Sequence, residues 1–366
     1  MSDTILISTR KGLFTVSRSA SGWTITAADF LGDNVSLAIA DRRSGAVYAA
    51  LDHGHFGVKM HRRDGDAWQE IATPAYPPKP EGLEENDMWG RPIPWSTNRI
   101  WALAAGGANQ PGVLWCGTLP GGVFRSNDHG TSWEICDSLW RHPKRPQWMG
   151  GGADLPGVHS ICVDPRNSDH VYIGVSTGGL WFTSDGGATW SQRGEGMRAD
   201  HVPPDLTHDP IAQDVHCLVQ CTAQPQRMWV QHHNGIFISS DEGRNFTEIH
   251  NVTPSAFGFP VAAHPREPDT AWFVPEIKDE RRIPVGGRLA VTRTRDGGKS
   301  FETLTKGLPQ QHAYDVVYRH ALDIDEGGDR LVMGSTTGGL WISEDQGDSW
   351  SEITHTLPPV YAARFA

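Results

Sequence analysis

Along this chain, short runs rich in Val, Ile, Leu and Trp alternate with clusters of Gly, Asp, Asn and Ser, and no stretch sustains a helical apolar period. The pattern predicts short strands and tight turns from end to end. Its clearest unit is T-G-G-L-W-F-T-S-D-G-G-A-T-W at residues 177–190. There a strand ends at Ser184, Asp185-Gly186-Gly187 makes the turn, and a new strand opens at Trp190. Glycine accepts positive φ in such a turn, and the Asp carboxylate caps neighbouring backbone N–H groups. The same setting recurs at Asp128, Asp241, Asp296 and Asp345, each followed by a glycine two residues on and an aromatic five residues on. All five aspartates read as structural turn residues.

These turns divide the chain into seven units: 4–29 together with 359–366, then 34–72, 98–136, 158–193, 215–250, 258–304 and 314–354. Each reads as four short strands; in the fourth unit they are 158–164, 170–176, 179–184 and 189–192. The first unit aligns Gly12–Trp23 on Gly179–Trp190 with Arg18 in the place of Asp185, and it lacks an inner strand of its own. The tail V-Y-A-A-R-F-A at 360–366 is a strand of suitable length to supply it. The expectation is an all-β chain, residues 1–366 as one seven-bladed β-propeller of four-stranded blades, its ring closed by the C-terminal strand pairing with the N-terminal blade.

Composition agrees with many turns and recurring aromatic anchors, with Gly 41, Pro 25 and Trp 15 in 366 residues. A formal charge of −11 without a Lys/Arg-rich run argues against nucleic acid and acidic membrane surfaces as partners. The five cysteines are odd in number and follow no scaffold spacing, which fits free thiols in a reducing compartment. The start shows neither a leader nor an anchor, so a cytoplasmic protein is expected.

The turns follow S/T-x-D-x-G-x-[S/T/N]-[W/F] and resemble the Asp-box (BNR) repeats of sialidase-like, sortilin-like and xyloglucanase-like propellers. The resemblance covers nearly the whole chain, with five good copies and two degraded ones. It implies the propeller fold and places the repeated turns between third and fourth strands, away from the channel mouth. Catalytic sialidases also carry an N-terminal Arg-Ile-Pro motif; residues 5–14 lack it, and the copy Arg282-Ile283-Pro284 falls inside a hairpin of the sixth unit. The likeness is therefore to the repeat, not to a typical catalytic sialidase.

Candidate chemistry lies where the repeat breaks down. Three outer-to-inner connections, 74–97, 137–157 and 195–214, are far longer than a hairpin needs, and long loops in a compact domain tend to carry function. They hold Trp89 and Trp95, then Trp148 and Asp154, then Asp214. Two inner strands open alike as Val158-His159-Ser160 and Val215-His216-Cys217, with Arg99 and Asp315 at comparable places in other units and Arg319 able to approach the axis. Gly174-Val175-Ser176-Thr177-Gly178 and Gly150-Gly151-Gly152 mimic a nucleophile elbow and a phosphate loop, but neither leads into a helix.

The leading expectation is a hydrolase-like propeller that acts on or binds a small polar molecule, a sugar or a carboxylate, at the channel mouth. His159, His216, Asp154 and Asp214 are its acid–base candidates, and Trp89, Trp95, Arg99, Trp148, Asp315 and Arg319 its ligand-binding candidates. One rival is a non-catalytic protein-interaction or assembly propeller, which would take a protein partner or a second copy. The other is a metal-dependent lyase or hydrolase in which His159 and His216 hold a divalent metal. No other cofactor is implied.

Overall fold

The structure is a computed structural model and describes residues 2–87, 89–151 and 153–366. Seven antiparallel sheets form the blades of a β-propeller, each with four strands that run in chain order from the axis outward in every blade but the first. The sixth adds the short strand Arg281–Pro284 beside Ala271–Lys278. In the fourth blade the strands are Val158–Val163, Val171–Val175, Gly179–Thr183 and Ser191–Arg193. The second and third are buried along their whole length, because a neighbouring blade covers each face of the sheet. Double burial is the reason these strands read as continuous apolar runs and not as alternating ones. The expected starts at Val158 and Gly179 hold and the other ends move by a residue or two; beside Asp185 they do so because turn hydrogen bonds take residues out of the ladder.

Contacts between blades need a close backbone approach. A Cβ added at Gly117 would meet the Val158 carbonyl oxygen at 2.6 Å, so the inner strand of the fourth blade seats only against glycine. Indole N–H groups tie successive blades at the rim: Trp229 donates to the Pro268 carbonyl at 3.1 Å and Trp272 to that of Gln346 at 2.8 Å.

The five repeated turns share one hydrogen-bond pattern. At Asp185 one carboxylate oxygen accepts from the Thr189 N–H at 2.8 Å and the Thr183 hydroxyl at 2.8 Å, and the other from the Thr189 hydroxyl at 2.6 Å. Asp128, Asp241, Asp296 and Asp345 repeat it with their own partners, and all five lie between third and fourth strands. The residue after each aspartate has positive φ, whether glycine or not: His129 at 59°, Gly186 at 67°, Glu242 at 63°, Gln346 at 59°. The next position is always a left-handed glycine, as at Gly187 with φ 98°. Two successive left-handed residues explain why the second must be glycine while the first only tolerates other side chains.

The C-terminal strand Val360–Phe365 forms the innermost strand of the first blade and pairs antiparallel with Thr4–Thr9. Arg18, standing where the other turns have aspartate, reaches across this seam to Glu344 at 2.7 Å. The chain is not free of helix, as Asp137–Trp140 makes one turn inside the second long connection. Among the described residues no helix is long and apolar enough to cross a membrane, and the five cysteines are unpaired. Gly152, the third glycine of the Gly150-Gly151-Gly152 run, lies outside the described residues.

Candidate functional site

Five inner strands carry a register shift near their start, after Val35, Ile100, Val158, Val215 and Gly258. An extra residue at such a bulge turns a side chain off the regular pleat and sharpens the local twist. The residues re-aimed in this way are Ser36, Trp101, His159, His216 and Phe259, and each lines a cavity on or beside the propeller axis. This shared kink is why the two Val-His starts look equivalent in sequence.

The largest of these cavities, 770 Å³, lies at the face formed by the long connections. Its floor is Asp214, His216, His233 and Arg319, its sides include Phe257 and Phe259, and residues 149–151 and 201–203 of the second and third connections overhang it. The Asp214 backbone is fixed by the His233 N–H, which donates to its carbonyl at 3.0 Å. The Asp214 side chain stands 3.4 Å from His233 Nδ1 through Oδ2 and 3.9 Å from His216 Nε2 through Oδ1. His216 is stacked on Phe259 and its Nδ1 lies 2.7 Å from the Gly258 carbonyl oxygen, so that nitrogen carries the proton and Nε2 presents a lone pair. Asp214 Oδ1 has no hydrogen-bond donor among the described residues although Asp214 is only 7% exposed. Two acceptors thus face each other in a buried place.

Charge at the site follows from burial and neighbours. Burial pushes Asp214 up, but its hydrogen bond with His233 and the surrounding imidazoles outweigh this and hold it well below the usual carboxylate range. The same hydrogen bond raises His233, against burial. Burial lowers His216 to about 4, with Arg319 adding to the effect, and lowers Arg319 to about 10. Arg319 donates from Nε to the His216 carbonyl at 2.7 Å and lies 4.4 Å from the centre of the Trp101 ring. It lines three cavities at once: the large one, a 320 Å³ neighbour walled by Trp101, Tyr318 and Tyr361, and a third further along the axis.

Of the residues expected at the site, the structure brings Asp214, His216 and Arg319 together, with Arg99 in the adjoining cavity, 3.5 Å from Asp52. The others are elsewhere. His159 does not join His216: it lines the third cavity, with Nδ1 2.9 Å from the Ser160 hydroxyl and its ring edge-on to Trp101. Asp154 is on the surface, paired with Arg91 at 3.0 Å. Asp315 accepts from Ser335 and Thr337 and supports a hairpin. Trp148, 4% exposed, packs on Trp181 in the core and is no binding wall. Trp95 donates to Glu85 at 2.7 Å and packs on Trp140, while Trp89, 67% exposed, lines none of the cavities described. The first long connection braces the second through Glu85–Arg145 and does not reach the large cavity.

Sequence reasoning missed His233, Arg282 and Glu276. His233 sits in the His232-His233-Asn234-Gly235 hairpin, a doubled histidine at a turn opening on the same face, which was the available signal. Arg282 lines both mouth cavities from the hairpin of the sixth blade. Glu276 is buried in Ala271–Lys278, and burial raises it to about 8; nothing in its sequence context signals this.

No family model matches the chain. It is similar to a probable oligoxyloglucan-reducing end-specific xyloglucanase of Neosartorya fischeri, 24% identical over 224 residues, which are 54% of this chain and 26% of that protein. It is similar to the sortilin of Rattus norvegicus, 30% identical over 121 residues, 32% of this chain and 13% of that one. Among solved structures it is similar to an ancestral GH74 enzyme, with a TM-score of 0.60 and 16% identity over 88% of this chain and 38% of the other. The chain spans about a quarter or less of the length of these curated relatives. The structural likeness is one of fold, a β-propeller.

Proposed function

We propose that this protein is a hydrolase acting on a small polar, anionic substrate of the sugar-acid or lactone class at the channel mouth. The observation that carries the reading is the buried gap between Asp214 Oδ1 and His216 Nε2, 3.9 Å wide and bounded by two acceptors. A water placed there donates to both, which aims an oxygen lone pair into the 770 Å³ cavity and prepares the proton for removal. Arg319 supplies the positive charge for a substrate carboxylate, because Arg282 and Lys278 are already paired with Asp279 and Glu280. Trp101, Tyr318 and Tyr361 offer faces for the apolar side of a sugar ring in the adjoining cavity. The similarity to xyloglucanases supports a sugar-acting hydrolase in this broad sense.

The test is turnover of a panel of uronic-acid glycosides, neutral glycosides and lactones. The wild type is expected to hydrolyse an anionic member, Asp214→Asn to lose about a hundredfold or more in kcat, and Arg319→Gln to lose preference for the anionic over the neutral member. Folded wild type that turns over none of the panel would overturn the proposal.

A further inference from the structure

We infer that Asp214, His216 and His233 form a binding site for one divalent transition-metal ion, with Zn²⁺ as the reference probe. The inference deepens the reading above, on which it rests only for what the ion would do. The three side chains offer one carboxylate oxygen and two imidazole nitrogens, all within 4.8 Å of one another. Ligand bonds of about 2.0–2.2 Å put neighbouring ligands of a tetrahedral ion roughly 3.3–3.5 Å apart. The His233–Asp214 separation of 3.4 Å, measured to Oδ2, meets that, while His216 lies 3.9 Å from the other oxygen, Oδ1, so a small rotation of the carboxylate is needed to present one oxygen to both imidazoles.

The proton inventory points the same way. With its Nδ1–H held by the Gly258 carbonyl at 2.7 Å, His216 turns an unprotonated Nε2 toward a carboxylate oxygen that has no donor among the described residues. Lone pair faces lone pair, an arrangement that a cation between them relieves. A backbone carbonyl on the second ring nitrogen is the partner that fixes tautomer and ring orientation in metal-bound histidines. Asp214 is buried, and its backbone is pinned to that of His233 at 3.0 Å, so two of the ligands are placed as a unit. The bulge after Val215 fixes the third.

Opposing charge is limited. Lys278 pairs with Glu280 at 3.1 Å and Arg282 with Asp279, so among the described residues lining the cavity Arg319 is the cation without a salt-bridged carboxylate. Nitrogen-rich ligation favours Zn²⁺, Ni²⁺, Cu²⁺ or Fe²⁺ over Ca²⁺, Mg²⁺ or Mn²⁺, which prefer oxygen. Three protein ligands leave coordination positions open toward the cavity, where a bound water would be polarised.

The experiment strips the full-length protein with a chelator and titrates it with Co²⁺, read by visible d–d absorption, and with Zn²⁺, read by calorimetry. One ion per chain with the spectrum of a four- or five-coordinate centre is expected. His233→Ala, whose side chain is partly exposed, should weaken binding about tenfold or more, and Asp214→Asn should abolish it, with circular dichroism confirming the fold. Wild type that stays folded yet gives no Co²⁺ bands and no Zn²⁺ heat overturns the inference, and a water bridge then fills the gap. Binding unchanged in both variants also overturns it, because the ion is then held elsewhere. Hydrolysis by a protein that binds neither ion overturns the metal site and leaves the proposed reaction, whereas tight binding with no turnover of any substrate does the reverse.

Discussion

Glu276 offers a quantitative check on the environment next to the mouth. Its side chain is 1% exposed, and burial lifts it from the ordinary glutamate value of 4.5 to about 8, although the nearby Arg282 and the Val317 backbone N–H both act to lower it. The folded protein therefore carries the neutral acid at pH 7. Below pH 4.5 the folded and unfolded chains both hold this proton, and its contribution is complete. As the pH rises toward 8 the unfolded chain releases the proton first, so stability falls by about 1.4 kcal/mol per pH unit. Between pH 5 and pH 7 the loss is about 3 kcal/mol. Glu276→Gln has no proton to release, and whatever constant cost its buried amide adds is the same at both pH values. The assay is urea unfolding of wild type and variant at the two pH values, followed by tryptophan fluorescence. The difference between their unfolding free energies should swing in favour of the variant by about 3 kcal/mol on going to pH 7. A swing below about 1 kcal/mol would refute the reasoning, since the carboxyl would then have to be hydrated or paired.

Two further outcomes test the scaffold. Asp185→Ala removes the acceptor for the Thr189 N–H and hydroxyl and the Thr183 hydroxyl, and should cost about 1–2 kcal/mol without changing ligand binding at the mouth; an unchanged urea midpoint would count against the turn's role. Deleting residues 360–366 strips the inner strand from the first blade and exposes the edge of Thr4–Thr9 with Ile5 and Ile7. Such a chain should lose its cooperative unfolding transition and aggregate on size-exclusion chromatography, and a monomer of unaltered midpoint would show that the ring does not depend on this pairing.

The fold was legible because its signals are local. Asp185 and its four equivalents mark turns whose hydrogen bonds span only a few residues, and Thr4–Thr9 without an inner neighbour pointed directly to the tail. The site was legible in part. Asp214, His216 and Arg319 stand out as polar residues at the starts of inner strands or just before them, where an ordinary repeat would put packing residues. His159 shares the motif of His216 but enters a different cavity, because the bulge turns a residue inward without saying which neighbours meet it. Trp148 read as a loop residue free to bind ligand, yet Trp181 from the adjacent strand draws it into the core. His233 comes from the hairpin between second and third strands, and it meets Asp214 through the pairing of Val215 with His232, a register that its place in a hairpin does not reveal.

Arg319 has a consequence that reaches beyond the mouth. It borders three cavities along the axis, and His320, whose Nε2 lies 2.7 Å from the His159 carbonyl oxygen, lines two of them beside it. A change of charge or position at this one guanidinium is therefore felt on the walls of three chambers at once.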